Sequence, residues 1–436
     1  MRMKKSFLLI AVLCALLLLS ACGVKTMNEV TAPAGEQDSV VRIELGETIT
    51  ATGGGARIDG GTVTIASGGE YAVTGSLEEG QLVIDTGEEA MNVTLTLEGV
   101  TLGNGSGPAL LVRQAKNVHL VLADGTQNRL SSGTEADLTA FDGTQSGAAV
   151  FAEDDLIIEG EGKLEICGYI NNGITCKDDL KIKSGSLQVL AAGNGLRGSE
   201  SVEIKGGELS IIAGNDGIKS SSAAKEGKGY VTISGGTVMV EAQGDGIAAE
   251  TILSVSGGNI VVEAQGDGLG QSSKAMKAKT GVEISDGMLT LTSVEDAISC
   301  DAGVVISGGV QRINTKGDGI QAGEKGSGAG DITISGGNLC INAMSRGLNA
   351  RGNLLIDGGT VLAYIGSEKQ AAPGGSAASL YTAFPGAAGE RLLLNGEELL
   401  PESERGFSAF LYSGTLEHGV SYQLSNGIKT ISVTAN

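Results

Sequence analysis

The sequence predicts an all-β protein, a parallel β-helix solenoid of about 22-residue coils with a small C-terminal β cap. Three observations carry that expectation. First, "EAQGDG" at Glu241 returns at Glu263, 22 residues on. Taking the residue before "GI" or "GL" as a marker extends the pair to Asn172, Asn194, Asp216, Asp245, Asp267, Asp296, Asp318 and Arg346, at steps of 22, 22, 29, 22, 29, 22 and 28 residues, with Ala297 replacing one Gly. Second, a column of turn glycines keeps the same beat: Gly185, Gly207, Gly236, Gly258, Gly287, Gly309, Gly337 and Gly359. Third, apolar and polar residues alternate on both sides of each Gly turn, as in "VTISGGTVMVEAQGDGIAAE". A period of two means strands with one buried face. A coil of this length has three sides, and neighbouring coils stack at about 4.8 Å.

The elements follow in chain order. Residues 1–22 read as a lipoprotein signal peptide: Arg2, Lys4 and Lys5 precede an apolar run, Phe7 to Leu19, too short for a comfortable membrane span. "LSAC" resembles the bacterial lipobox, which makes Cys22 the lipidated mature N-terminus; the alternative is an ordinary secretory cleavage site. Residues 23–39 read as a polar tether, and 40–150 as irregular β-helix coils that cap the N-terminal end. The regular β-helix occupies 151–360, and 361–436 forms the C-terminal β cap that covers unpaired strand edges. The longer steps place insertions at one corner of every second coil, after the marker, where Lys225, Lys228, Lys274, Lys277, Lys279 and Lys325 gather.

Composition limits the function. The 436 residues include 71 Gly and no Trp, yet 41% are apolar, so this is not a disordered Gly-rich chain. A formal charge of −21 argues against nucleic acid and permits cation binding. Apart from Cys14 and Cys22 the cysteines are Cys167, Cys176, Cys300 and Cys340; with no CxxC spacing and two His, a zinc site is not expected. Cys176 and Cys300 fall four residues after a marker, in a column of mostly small residues, and read as buried core thiols. The same spacing puts Gln271 in that column.

The marker column has two readings. Asp or Asn in a left-handed turn followed by a positive-φ Gly needs no ligand. Stacked carboxylates about 5 Å apart, however, repel by roughly 1 kcal/mol per pair even in water, a cost that Asn avoids. Calcium, which takes six to eight hard oxygens, answers that objection. The sharpest set is Asp267, Glu295, Asp296 and Asp318, with Asp216 and Asp245 second. Three residues past the marker an outward position carries Thr175, Arg197, Lys219, Ala248, Gly270, Ser299, Gln321 and Asn349. Arg197 and Lys219, with Lys274 and Lys277 of the insertion, are candidate contacts for glycan carboxylates; local salt bridging is the alternative.

"NDGIKS", "GDGIAAE", "EDAISC", "GDGIQA" and "RGLNA", interleaved with "ISGG", resemble a bacterial carbohydrate-binding β-helix family formerly known only as a domain of unknown function. "VTLTLEGVTL", "GPALLV" and "VHLVLADGTQNRL" extend the resemblance upstream, to about residues 40 to 360. It implies a right-handed parallel β-helix similar to that of pectate lyases, bound calcium, and affinity for plant cell-wall polysaccharide including acid sugars. Lyase activity is not implied. Where the family commonly has paired Asp before "GLNA", this chain has Ser345 and Arg346, which places Arg346 to neutralise Asp318.

The expected function is a calcium-binding, surface-anchored monomer that binds acidic plant cell-wall polysaccharide of the pectin or polygalacturonate type. With aromatics at 3%, the platforms that grip neutral glucans are scarce, which makes cellulose the second specificity. One alternative is a calcium-dependent pectate lyase using Arg197, Lys219 or Lys274 as base. The other is a non-catalytic structural or adhesion solenoid of the envelope.

Overall fold

The computed structural model describes residues 40–134, 147–223, 225–266, 270–323, 328–367 and 370–436. The signal peptide, Cys22 and the tether lie outside them. Every regular element among the described residues is a strand, and the strands wind into a parallel solenoid of about 11 turns. Each regular coil contributes three strands. A short one, such as Ile218–Ser220, belongs to a 13-stranded sheet; two longer ones, such as Tyr230–Ile233 and Thr237–Ala242, belong to a 24-stranded sheet that folds over two sides. In two coils the longer pair is one continuous strand, Ile252–Ala264 and Gly281–Ser293, bent at Gly258 and Gly287.

Alternation produces this shape. In Thr237–Ala242, Val238, Val240 and Ala242 point inward and Thr237, Met239 and Glu241 outward. The inward residues of all coils merge into one core running from Ile43 to Leu411. The eight turn glycines all sit at positive φ, between +77° and +106°, which a side chain rarely tolerates, so they fix each corner. Both ends are closed by antiparallel pairing. At the start, Val41–Leu45 pairs with Thr50–Thr52 and Ala56–Asp59 with Thr62–Ile65. At the finish, Thr360–Ile365 pairs with Phe407–Ser413, which pairs with Ser379–Gly386. A four-stranded antiparallel sheet follows, and Phe384, Phe407 and Phe410 form its separate core with Tyr364.

The register departs from the expected one in a single coil. Ile247 pairs with Met276, and Met276 with Ile298, so the marker position between Asp245 and Asp296 belongs to Lys274. Asp267 itself lies outside the described residues. Burial explains the slip: the expected register would place Gln271 in the inward column, whereas the observed one buries Met276 and Ala278 and exposes Lys277. The inward column therefore reads Cys176, Gly198, Ser220, Ala249, Ala278, Cys300, Ala322 and Ala350. The insertions consequently leave from two edges. Those after Ser220 and Ala322 follow a short strand, while the one after Ala264 precedes it.

Candidate functional site

The marker column forms a ladder of side-chain to backbone hydrogen bonds. Asn172 Oδ1 accepts the Asn194 N–H at 2.7 Å, Asn194 that of Asp216 at 3.1 Å, Asp216 that of Asp245 at 2.9 Å, and Asp245 that of Lys274 at 2.9 Å. Lys274 interrupts it. The ladder resumes from Asp296 to Asp318 at 2.8 Å and from Asp318 to Arg346 at 2.9 Å. None of these markers is left-handed; the non-glycine with positive φ among the described residues is Asn395. The glycine after each marker is needed for space, since a Cβ on Gly217 would lie 2.2 Å from Val240 Cγ1 and 2.6 Å from Gly246 O.

The remaining oxygens meet cations. Asp216 pairs with Lys219 at 2.6 Å, Asp245 with Lys277 at 3.3 Å, Glu295 with Lys274 at 2.6 Å, and Asp318 with Arg346 at 2.9 Å. Asp296 alone of these acids has no ion-pair partner among the described residues. Burial pushes its carboxyl above the usual range, only partly offset by the Asp318 N–H. Burial opposes ionisation of Asp318 too, but hydrogen bonds from Arg346 and Ser345 outweigh it and hold the carboxyl low. Burial likewise disfavours the Lys274 ammonium, yet Glu295 keeps its pKa above the ordinary lysine value.

These carboxylates, Asp296 excepted, already hold an ammonium or guanidinium ion among the described residues, an arrangement that does not fit calcium. Among the described residues, no three His, Cys, Asp or Glu side chains converge as a metal site. The described cysteines are buried thiols outside any disulfide, and burial pushes the Cys176 thiol up to about 12.

Outward from this ladder, the short strands carry one row in register: Phe151, Thr175, Arg197, Lys219, Ala248 and Lys277. Lys277, expected to lie in an insertion, thus stands in the row itself, where Gly270 was expected. The row brings Arg197 and Lys219 onto adjacent strands. Their surroundings differ. Lys219 and Lys277 are anchored by Asp216 and Asp245, with side-chain exposures of 35% and 38%, so donors remain open to solvent. Among the described residues Arg197 has no acid at ion-pair distance and its buried Nε has no acceptor, while its Nη2 reaches Ser221 Oγ at 3.3 Å. Phe151 is the one Phe of the described coils, with Lys177 Nζ 5.9 Å from its ring centre. Sequence reasoning missed it because it precedes the strict repeat, although "AVFA" aligns with "GITC". Two lysines of the first insertion are spent elsewhere: Lys225 and Lys228 hold Glu200, and Lys228 also holds Asp179 at 2.9 Å.

The profile of the carbohydrate-binding domain-containing protein family matches residues 59–315 and 269–399. A protein of Acetivibrio thermocellus described in those same words is 30% identical over 194 residues, 44% of this chain. The match spans 66% of that relative's own length, just under two thirds. A solved structure of a polysaccharide lyase-like protein from C. thermocellum, a gadolinium derivative, superposes with a TM-score of 0.49 and 30% identity, over 58% of this chain and 96% of the other.

Proposed function

Because the chain belongs to the family of carbohydrate-binding domain-containing proteins, we propose that it binds an acidic plant cell-wall polysaccharide of the pectin type at the cell surface. The observation that carries this reading is the cationic row on the short sheet of a chain whose formal charge is −21. Arg197 supplies a guanidinium that meets no acid among the described residues, and its planar fork suits a carboxylate. Lys219 and Lys277 add positioned ammonium donors. Binding is favoured over elimination because a lyase base must be deprotonated within reach of its proton, whereas Glu295 holds the Lys274 ammonium protonated.

Retention on insoluble pectin and on cellulose tests the reading, first with calcium and then with chelator. Pectin is expected to retain the protein in both conditions, and cellulose to retain less. No retention on pectin would overturn the proposal. Loss confined to chelator would give calcium a role through residues such as Asp267, outside the described set. Ultraviolet absorbance from an unsaturated product on polygalacturonate would instead establish the lyase. Anchorage has its own test: Cys22→Ser should move the protein from the membrane to the soluble fraction, since acyl chains on that cysteine supply the attachment.

A further inference from the structure

We infer that the polysaccharide lies along the solenoid axis on the short sheet, one sugar per coil, with Phe151 as the stacking platform for its far end. This inference rests on the acidic-glycan reading above and adds the ligand's direction and footprint.

The argument is geometric. A parallel sheet places in-register residues of adjacent coils about 4.8 Å apart, close to the length that one hexose adds to an extended linear glycan. Each short strand aims one side chain away from the core, but Thr175 and Ala248 are buried, so the accessible contacts are Phe151, Arg197, Lys219 and Lys277, spaced at whole coil steps along the axis. From Phe151 to Lys277 the row spans five coil steps, about 24 Å, a footprint of six sugars.

The chemistry changes along it in a way that fits a polyuronate. Arg197, Lys219 and Lys277 meet carboxylates, while Ala248 leaves the sugar between the two lysines without a cation partner. At the other end Phe151 is half-buried and offers a ring face to the apolar C–H face of a pyranose. A chain crossing the coils instead would touch one cation and not the ring, because each strand of this sheet is only three residues long here.

Calorimetric titration with oligogalacturonides of two to eight residues tests the orientation, using wild type, Phe151→Leu and Arg197→Gln. Leucine is chosen because Leu111 already occupies the preceding place in the row, and melting temperatures check that each variant folds. Affinity should climb with length up to six residues and then level off. Phe151→Leu should bind the tetramer as wild type does but lose the gain from four to six, about tenfold, the scale of burying one ring face. Arg197→Gln should weaken every length from four upward by about tenfold or more. Affinity level from two residues onward, or a hexamer bound equally by wild type and Phe151→Leu, would overturn the axial footprint while leaving acidic-glycan binding intact. Failure of wild type to bind any oligouronate would overturn both.

Discussion

At the scale of single residues, Asp296 and Asp318 are neighbours in one column with opposite electrostatics. The ladder needs a side-chain oxygen at each marker, which Asn supplies as well as Asp, and Asn172 and Asn194 do so. Asp318 also needs its charge, because Arg346 bonds both its oxygens and Asn349 one of them. Its lowered carboxyl contributes stability that is complete above the ordinary carboxylate range and is lost as pH falls through the folded value. Asp296 is the reverse: its raised carboxyl opposes folding at neutral pH, and that opposition is relieved as pH falls through the raised value. We therefore predict that Asp318→Asn lowers stability at pH 7 by about 1–3 kcal/mol, whereas Asp296→Asn leaves it unchanged or higher. Urea unfolding at pH 7 and pH 4 checks this, and the gap between the variants should shrink at the lower pH. Equal losses at pH 7 would contradict the opposite electrostatics of the two carboxylates. The column was legible in the sequence because its spacing is one-dimensional; which oxygen serves which coil depends on stacking and was not.

At the scale of the element, the period of two and the turn glycines identified the strands and corners directly. The coil after Asp245 shows where such reading stops. "GDGLGQ" copies the motif before it, but "KAMKA" wins the register because it puts Met276 and Ala278 inward and Lys277 outward. Local likeness favoured one register and burial the other, and burial is the stronger term. The glycine after each marker gives the corresponding prediction. A Cβ on Gly246 would sit 2.1 Å from Val262 Cγ1 and 2.7 Å from Ala275 O, so Gly246→Ala should destabilise by about 1–3 kcal/mol. Chemical denaturation measures it. A variant as stable as wild type would mean the coils are looser there than their packing indicates.

For the whole molecule, one continuous core is closed at both ends by antiparallel strands, and most described aromatic mass lies in the C-terminal cap rather than on a glycan platform. What distinguishes the outer surface is a cationic row on an acidic chain, assembled from residues 22 to 29 positions apart in sequence. Its two central members were visible as candidates, but its continuation to Lys277 and its origin at Phe151 emerged only with the register. The central claim is that this row binds an acidic polysaccharide, and the affinity of the Arg197→Gln, Lys219→Gln double variant for polygalacturonate tests it most directly. The account predicts a loss of at least about tenfold, steeper at low salt. The melting temperature should fall because Lys219→Gln leaves the buried Asp216 carboxylate without its cation, so affinity is read well below the variant's melting temperature. An undiminished affinity in a folded double variant would contradict it.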